Sequence, residues 1–273
     1  MKVKKETIYA GKTKICSIRA TTRWKSRKGE KRKPKINPTP EAVAKNNFRY
    51  AIKELTAKLN NNFKYGDFHL VLTYKNEPNQ EDAKRHLNNF LRNIREFCKK
   101  EGIDFKRIAV TEFENKRIHH HIVCTGIDRK IISKHWTHGW INFKMLDETG
   151  NYNKLAAYLV KETEKTFRKE DCVFKRRYSA SRNLIAPETR VEEVSDRILG
   201  KDLKETTGYY IDQDSIRKYD HAILGVECVE YIEVKLDQNR KTRKRGKKSK
   251  LREIFKIETE KQIQMEFNGG EYE

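Results

Sequence analysis

The order of apolar patterns predicts an α+β protein with a central antiparallel sheet backed by helices. Strand-length runs rich in β-branched residues alternate with longer segments that repeat their apolar residues at helical spacing. Two strand-like runs, 107–113 and 118–124, are separated only by Glu114-Asn115-Lys116, which makes them a hairpin and therefore antiparallel. From residue 68 to 163 the order is β-α-β-β-α-β-α, with hairpin pairing in its middle.

Taken in order, residues 1–38 read as a basic arm, densest over 25–35 (KSRKGEKRKPK), which is either a solvated tail or an arm gripping a polyanion. Thr39-Pro40-Glu41 opens a helix, with Thr39 as N-cap, proline at the first helical position and a carboxylate in the first turn. That helix extends to about residue 59. Phe68 to Tyr74 (FHLVLTY) is a strand, and Asn79-Gln80-Glu81-Asp82 caps a second helix. In that helix Leu87, Phe90, Leu91, Ile94 and Phe97 share one face. The hairpin follows, then a short helix at 131–135, a strand at 139–144 and a helix at 153–163. Beyond 190 the pattern weakens to a strand at 227–235 and a basic run at 239–252 (NRKTRKRGKKSKLR). Three regions result: the arm 1–38, a domain 39–189 and an accessory basic region 190–273.

The 273 residues carry a net charge of +22, from 61 Lys+Arg against 39 Asp+Glu, which points to a polyanionic partner. No apolar run approaches the roughly 20 residues of a membrane span, and the N-terminus lacks an apolar signal core. Five scattered cysteines without a C-x-x-C argue for a reducing cytoplasm, without a disulfide framework or structural zinc. Nucleic acid in the cytoplasm is the favoured partner. Gly11-Lys12-Thr13 looks like the end of a phosphate-binding loop, but the position five before Gly11 is Glu6, so that ATPase motif is absent.

The chemistry concentrates in Arg117-Ile118-His119-His120-His121-Ile122-Val123. Alternation along a strand turns His119 and His121 to one face and His120 to the other. Each buried imidazole needs a partner, so three in an apolar strand point to metal binding. Glu112 on the neighbouring strand supplies the carboxylate, with Glu114 as its rival. Two nitrogens and a carboxylate suit Mn²⁺ or Mg²⁺ in phosphodiester chemistry better than zinc. On the helix 153–163, Tyr158 has Lys161 one turn on, where an ammonium can steady a phenolate or a phosphate. Spacing alone leaves Tyr158 as a ring packed on the core; Tyr152, in the turn before the helix, is a second candidate. Trp136 and Trp140 are stacking surfaces or core residues, and His135 and His138 are exposed or contact nucleic acid.

These motifs together resemble the HUH endonucleases, specifically the rolling-circle replication initiators of phages, plasmids and related mobile elements. FHLVLTY is similar to the family's first motif and the histidine strand to its His-hydrophobe-His motif, with Glu112 where a metal-binding glutamate stands. Tyr158-Leu159-Val160-Lys161 resembles the Y-x-x-K motif, and Tyr178-Ser179-Ala180-Ser181-Arg182-Asn183-Leu184 a segment that follows it. His120 departs from the pattern and leaves open which two histidines bind. The resemblance covers about residues 39–187 and implies a ferredoxin-like HUH core of about five antiparallel strands, with helices behind the sheet and the metal on its open face. It implies a Tyr158 nucleophile, Lys161 beside it, a divalent metal on Glu112, His119 and His121, and single-stranded or hairpin origin DNA as substrate. Arg176, Arg177, Arg182, Lys241, Arg243, Lys244 and Arg245 would grip phosphates, and a host helicase and polymerase would follow. The other readings are a transposase or small relaxase on the same core, and a non-catalytic nucleic-acid-binding protein.

Overall fold

Residues 2–21, assigned above to a basic arm, are instead two strands of a sheet. The computed structural model describes residues 2–21, 41–113, 117–163, 172–221 and 224–236. In it β1 (Lys2–Ala10) and β2 (Thr13–Thr21) form an antiparallel hairpin. Gly11 turns the hairpin at φ 55°, and a Cβ there would run into the Asn60 carbonyl oxygen, so Gly11-Lys12-Thr13 is a hairpin corner. The lysines and Glu6 mask this strand. Their long stems lie along the sheet while Val3, Thr7 and Ala10 are buried. The run at 25–35 and the cap at Thr39 lie outside the described residues.

The following elements are α1 (Glu41–Asn62), β3 (Phe68–Thr73), α2 (Gln80–Lys100), β4 (Arg107–Glu112), β5 (His119–Cys124), α3 (Arg129–His135), β6 (Ile141–Met145) and α4 (Asn153–Thr163). From β3 onward this is the order derived above. The side chain of Asn79 caps α2, accepting from the Asp82 amide at 2.8 Å. After α4 come β7 (Ser179–Ala180), β8 (Glu188–Val194), β9 (Tyr209–Asp220) and β10 (Glu227–Lys235).

One five-stranded sheet has the order β6-β3-β5-β4-β7, and all its pairings are antiparallel. β5 lies between β3 and β4, which therefore run parallel with α2 as their crossover: a split β-α-β, as in a ferredoxin-like core. Leu87, Phe90, Leu91 and Ile94 of α2 pack with Ile132 of α3 on Leu70, Leu72 and Ile122. On the other face Leu55 and Leu59 of α1, with Ala156, Leu159 and Val160 of α4, cover Ile108, Val110 and Val123. Each such leucine, removed from water, contributes on the order of 1.5–3 kcal/mol. Helices therefore stand on both faces, where the resemblance implied helices on one. Asn142 and Lys144 of β6 remain exposed beyond them.

The second sheet has the order β8-β1-β2-β10-β9. Residues 190–235, set apart above as accessory, complete it, and the boundary after 189 falls inside β8. The strand expected at 227–235 is β10. α1 serves both sheets, since its Ala57 packs with Ala10, Ile15, Ile232 and Val234. All five cysteines are buried free thiols. Among the described residues no helix is long and apolar enough to cross a membrane.

Candidate active site

Pairing between β4 and β5 sets the site. Glu112 stands opposite His119 and Val110 opposite His121, in a register unbroken from Arg107 to Glu112. Alternation turns Glu112, His119 and His121 to the face that α4 crosses, and His120 to the α2 face. His120 is fully buried there, its Nε2 2.9 Å from the Tyr74 hydroxyl and its Nδ1 2.9 Å from Thr111 Oγ1. Burial, reinforced by the neighbouring histidines, brings its pKa down to about 3, so the ring stays neutral. The strand neither slips nor bulges here, and His120 belongs to the core.

His119 Nε2 lies 2.9 Å and His121 Nε2 3.7 Å from Glu112 Oε2, and the three ligand atoms all fall within 4.8 Å of one another. Burial pushes the Glu112 carboxyl upward, but its bonds with His119, His121 and Glu162 outweigh that and hold it well below the usual carboxylate range. His119 Nδ1 is 2.8 Å from the Arg117 carbonyl oxygen. A carbonyl only accepts, so Nδ1 carries the hydrogen, and a neutral His119 turns its Nε2 lone pair on Glu112. Two acceptors face one another stably when a proton or a cation lies between them. This buried Glu-His-His group can hold a divalent metal.

α4 brings Tyr158 to the same place. Ala156, Leu159 and Val160 are buried against the sheet, which leaves Tyr158 38% exposed at the rim with its hydroxyl 3.3 Å from His121 Nε2. Its ring meets His121 edge-on, 5.2 Å between centroids. Lys161 is exposed one turn on. Glu162, a full turn after Tyr158, reaches Glu112, a contact that sequence reasoning missed although i, i+4 spacing carries its signal. His69 of β3 was also missed. It is buried with Nε2 3.2 Å from His121 Nδ1, and burial, then His121 and Lys144, lower its pKa to about 3.

Tyr152 is not at the site: it is buried, and its hydroxyl donates to the Asp147 carbonyl at 3.1 Å. Trp136 is a core residue whose Nε1 donates to the Thr73 carbonyl at 3.1 Å, whereas Trp140 is 64% exposed. His138, expected to be exposed or on nucleic acid, stacks on His86 with 3.7 Å between ring centroids, and His135 is half-buried. Arg176 and Arg182 are exposed, while Arg177 is half-buried and its NH1 donates to the Val160 carbonyl at 3.5 Å. Arg176 and Arg177 line a cleft of about 270 Å³ with Lys84, Lys175, Thr111 and Thr163. Glu114, Lys241, Arg243, Lys244 and Arg245 lie outside the described residues.

Residues 67–167, less than half of the 273, match the family model described as replication-associated protein ORF2. The matched segment runs from the start of β3 through α4 and includes Glu112, His119, His121, Tyr158 and Lys161. It supports a replication-associated role and DNA as the partner. No curated protein and no solved structure matched the chain.

Proposed function

We propose that this protein nicks and rejoins single-stranded origin DNA through a 5′-phosphotyrosine, starting rolling-circle replication of a phage, plasmid or mobile element. One observation carries the reading: the rim-exposed Tyr158 hydroxyl stands 3.3 Å from His121 in a Glu-His-His cluster, inside the segment similar to replication-associated proteins. The Tyr158 oxygen attacks the scissile phosphorus, the bond to the 3′-oxygen breaks, and one phosphodiester replaces another. The phenolic proton passes to water, and the 3′-oxygen leaves as the hydroxyl that primes a host polymerase. Reversal rejoins the strand without ATP. Lys161 steadies the phenolate or the phosphate from the next turn. A divalent cation, Mn²⁺ or Mg²⁺, held by Glu112, His119 and His121, would supply polarisation of the phosphate and charge neutralisation. Arg176, Arg182 and the basic run at 239–252 grip the flanking phosphates of a single-stranded or hairpin origin that a host helicase extends.

The test is denaturing electrophoresis after incubation with single-stranded oligonucleotides from the protein's own element, with Mn²⁺ or with EDTA. The expected result is a metal-dependent shifted band that disappears in Tyr158→Phe and His121→Ala. A band that persists in Tyr158→Phe places the nucleophile elsewhere. Tight binding with no adduct on any strand reduces the protein to a nucleic-acid-binding module.

A further inference from the structure

The residue that the proposed chemistry leaves unused is His69. It enters β3 between Phe68 and Leu70, both core residues on the α2 side, so alternation turns it to the face of Glu112 and Tyr158. It pairs with Val123 in the sheet register, two residues from His121 on the adjoining strand. The two rings lie nearly parallel, at 27° with 5.4 Å between centroids, and His69 Nε2 is 3.2 Å from His121 Nδ1. The opposite nitrogen of His121, Nε2, faces Glu112 Oε2 at 3.7 Å and the Tyr158 hydroxyl at 3.3 Å.

We propose that His69 is a positioning residue, which accepts the Nδ1 proton of His121 and so turns the His121 Nε2 lone pair into the Glu112–His119–Tyr158 site. This inference rests on the metal reading above and adds to it. An imidazole bound to a cation through Nε2 must keep its proton on Nδ1, and that proton needs an acceptor where water is excluded. His119 has its acceptor in the Arg117 carbonyl, 2.8 Å from Nδ1. The Nδ1 of His121 faces His69, which accepts through Nε2 as a neutral ring carrying its own hydrogen on Nδ1. The cation-free site tolerates either tautomer of His121, with His69 as donor or acceptor. The cation-bound site tolerates one. His69 therefore favours the loaded state over the empty one.

The test is Mn²⁺ titration of the full chain, followed by electron paramagnetic resonance, for wild type, His69→Phe and His69→Gln. Phenylalanine keeps a ring and loses the acceptor, whereas glutamine sets an amide oxygen near the position of Nε2. His69→Phe should weaken Mn²⁺ binding roughly 10- to 100-fold, and His69→Gln should restore most of it. Equal affinity for wild type and His69→Phe overturns the assignment and leaves the metal reading intact. Wild type that binds no Mn²⁺ removes the metal reading and this inference together. A wild-type measurement guards against a variant that fails to fold. With Mg²⁺ bound, long-range proton–nitrogen correlation should show His121 protonated on Nδ1, and a signal for the proton on Nε2 overturns the proposal.

Discussion

His120 shows how one residue can look like a ligand and be something else. Its two nitrogens are spent on Tyr74 and Thr111, each at 2.9 Å, on the far side of the sheet from Glu112. Its pKa falls to about 3 in the native state against an ordinary value of 6.5. The native ring thus stays neutral while the unfolded chain takes up a proton as pH drops below about 6.5. Stability from this group is complete above that pH and is lost on the way down toward 3, at about 1.4 kcal/mol per pH unit. His120→Leu should cost about 1–3 kcal/mol at pH 7, because two buried hydroxyls lose a partner. It should also remove the proton uptake, so the gap to wild type narrows by about 2 kcal/mol by pH 5. Urea unfolding at both pH values measures this, and a constant gap would contradict it. The facing pair and its carboxylate were legible in the sequence because a strand has period two. His120's burial was not, since only the fold reveals that Tyr74 and Thr111 meet it, and the partnership of His69 with His121 likewise needs the β3–β5 register.

Elements with strong local patterns were legible, and those that depend on distant partners were not. β3 to α4 each carry their own apolar period, and β10 alternates clearly enough to stand out near the far end of the chain. β1 and β8 do not: β8 is almost wholly exposed, and it pairs with residues nearly the whole chain away. Loop closure over that separation leaves no trace in local composition. What ties this second sheet to the ferredoxin-like core is Asn60 on α1. Its amide donates to Thr13 Oγ1 at 2.8 Å, at the β1–β2 corner, and its carbonyl oxygen accepts from the Tyr152 amide at 2.8 Å, at the start of α4. Asn60 is 3% exposed, so no water replaces either bond. Asn60→Ala should leave the Tyr152 N–H unpaired and cost about 1–3 kcal/mol. Thermal melts should show it, and a change below about 0.5 kcal/mol, the range of an ordinary surface substitution, would remove Asn60 from this role.

At the scale of the whole molecule, the net charge of +22 says that a polyanion binds but not where. Each phosphate neutralised on a single strand contributes about 0.7 to the slope of log K against log salt, so the charge can be apportioned by substitution. Arg176 and Arg182 are exposed, and both should count; Arg177, held by the Val160 carbonyl and lying over the Phe48 ring, is already partly engaged. Replacing Arg176 and Arg182 by alanine should therefore lower the slope by about 1.4, and adding Arg177→Ala should change it little further. Alanine at Lys241, Arg243, Lys244 and Arg245 together should lower it by about 2.8 if all four grip phosphates. Fluorescence anisotropy of a labelled single strand across a series of KCl concentrations measures both. If the second set leaves the slope unchanged, that run is a solvated tail and the grip on DNA belongs to the residues around the tyrosine helix. If the first set leaves it unchanged while the second does not, the strand approaches the site from the C-terminal side, and the cleft lined by Arg176 loses its claim to the substrate.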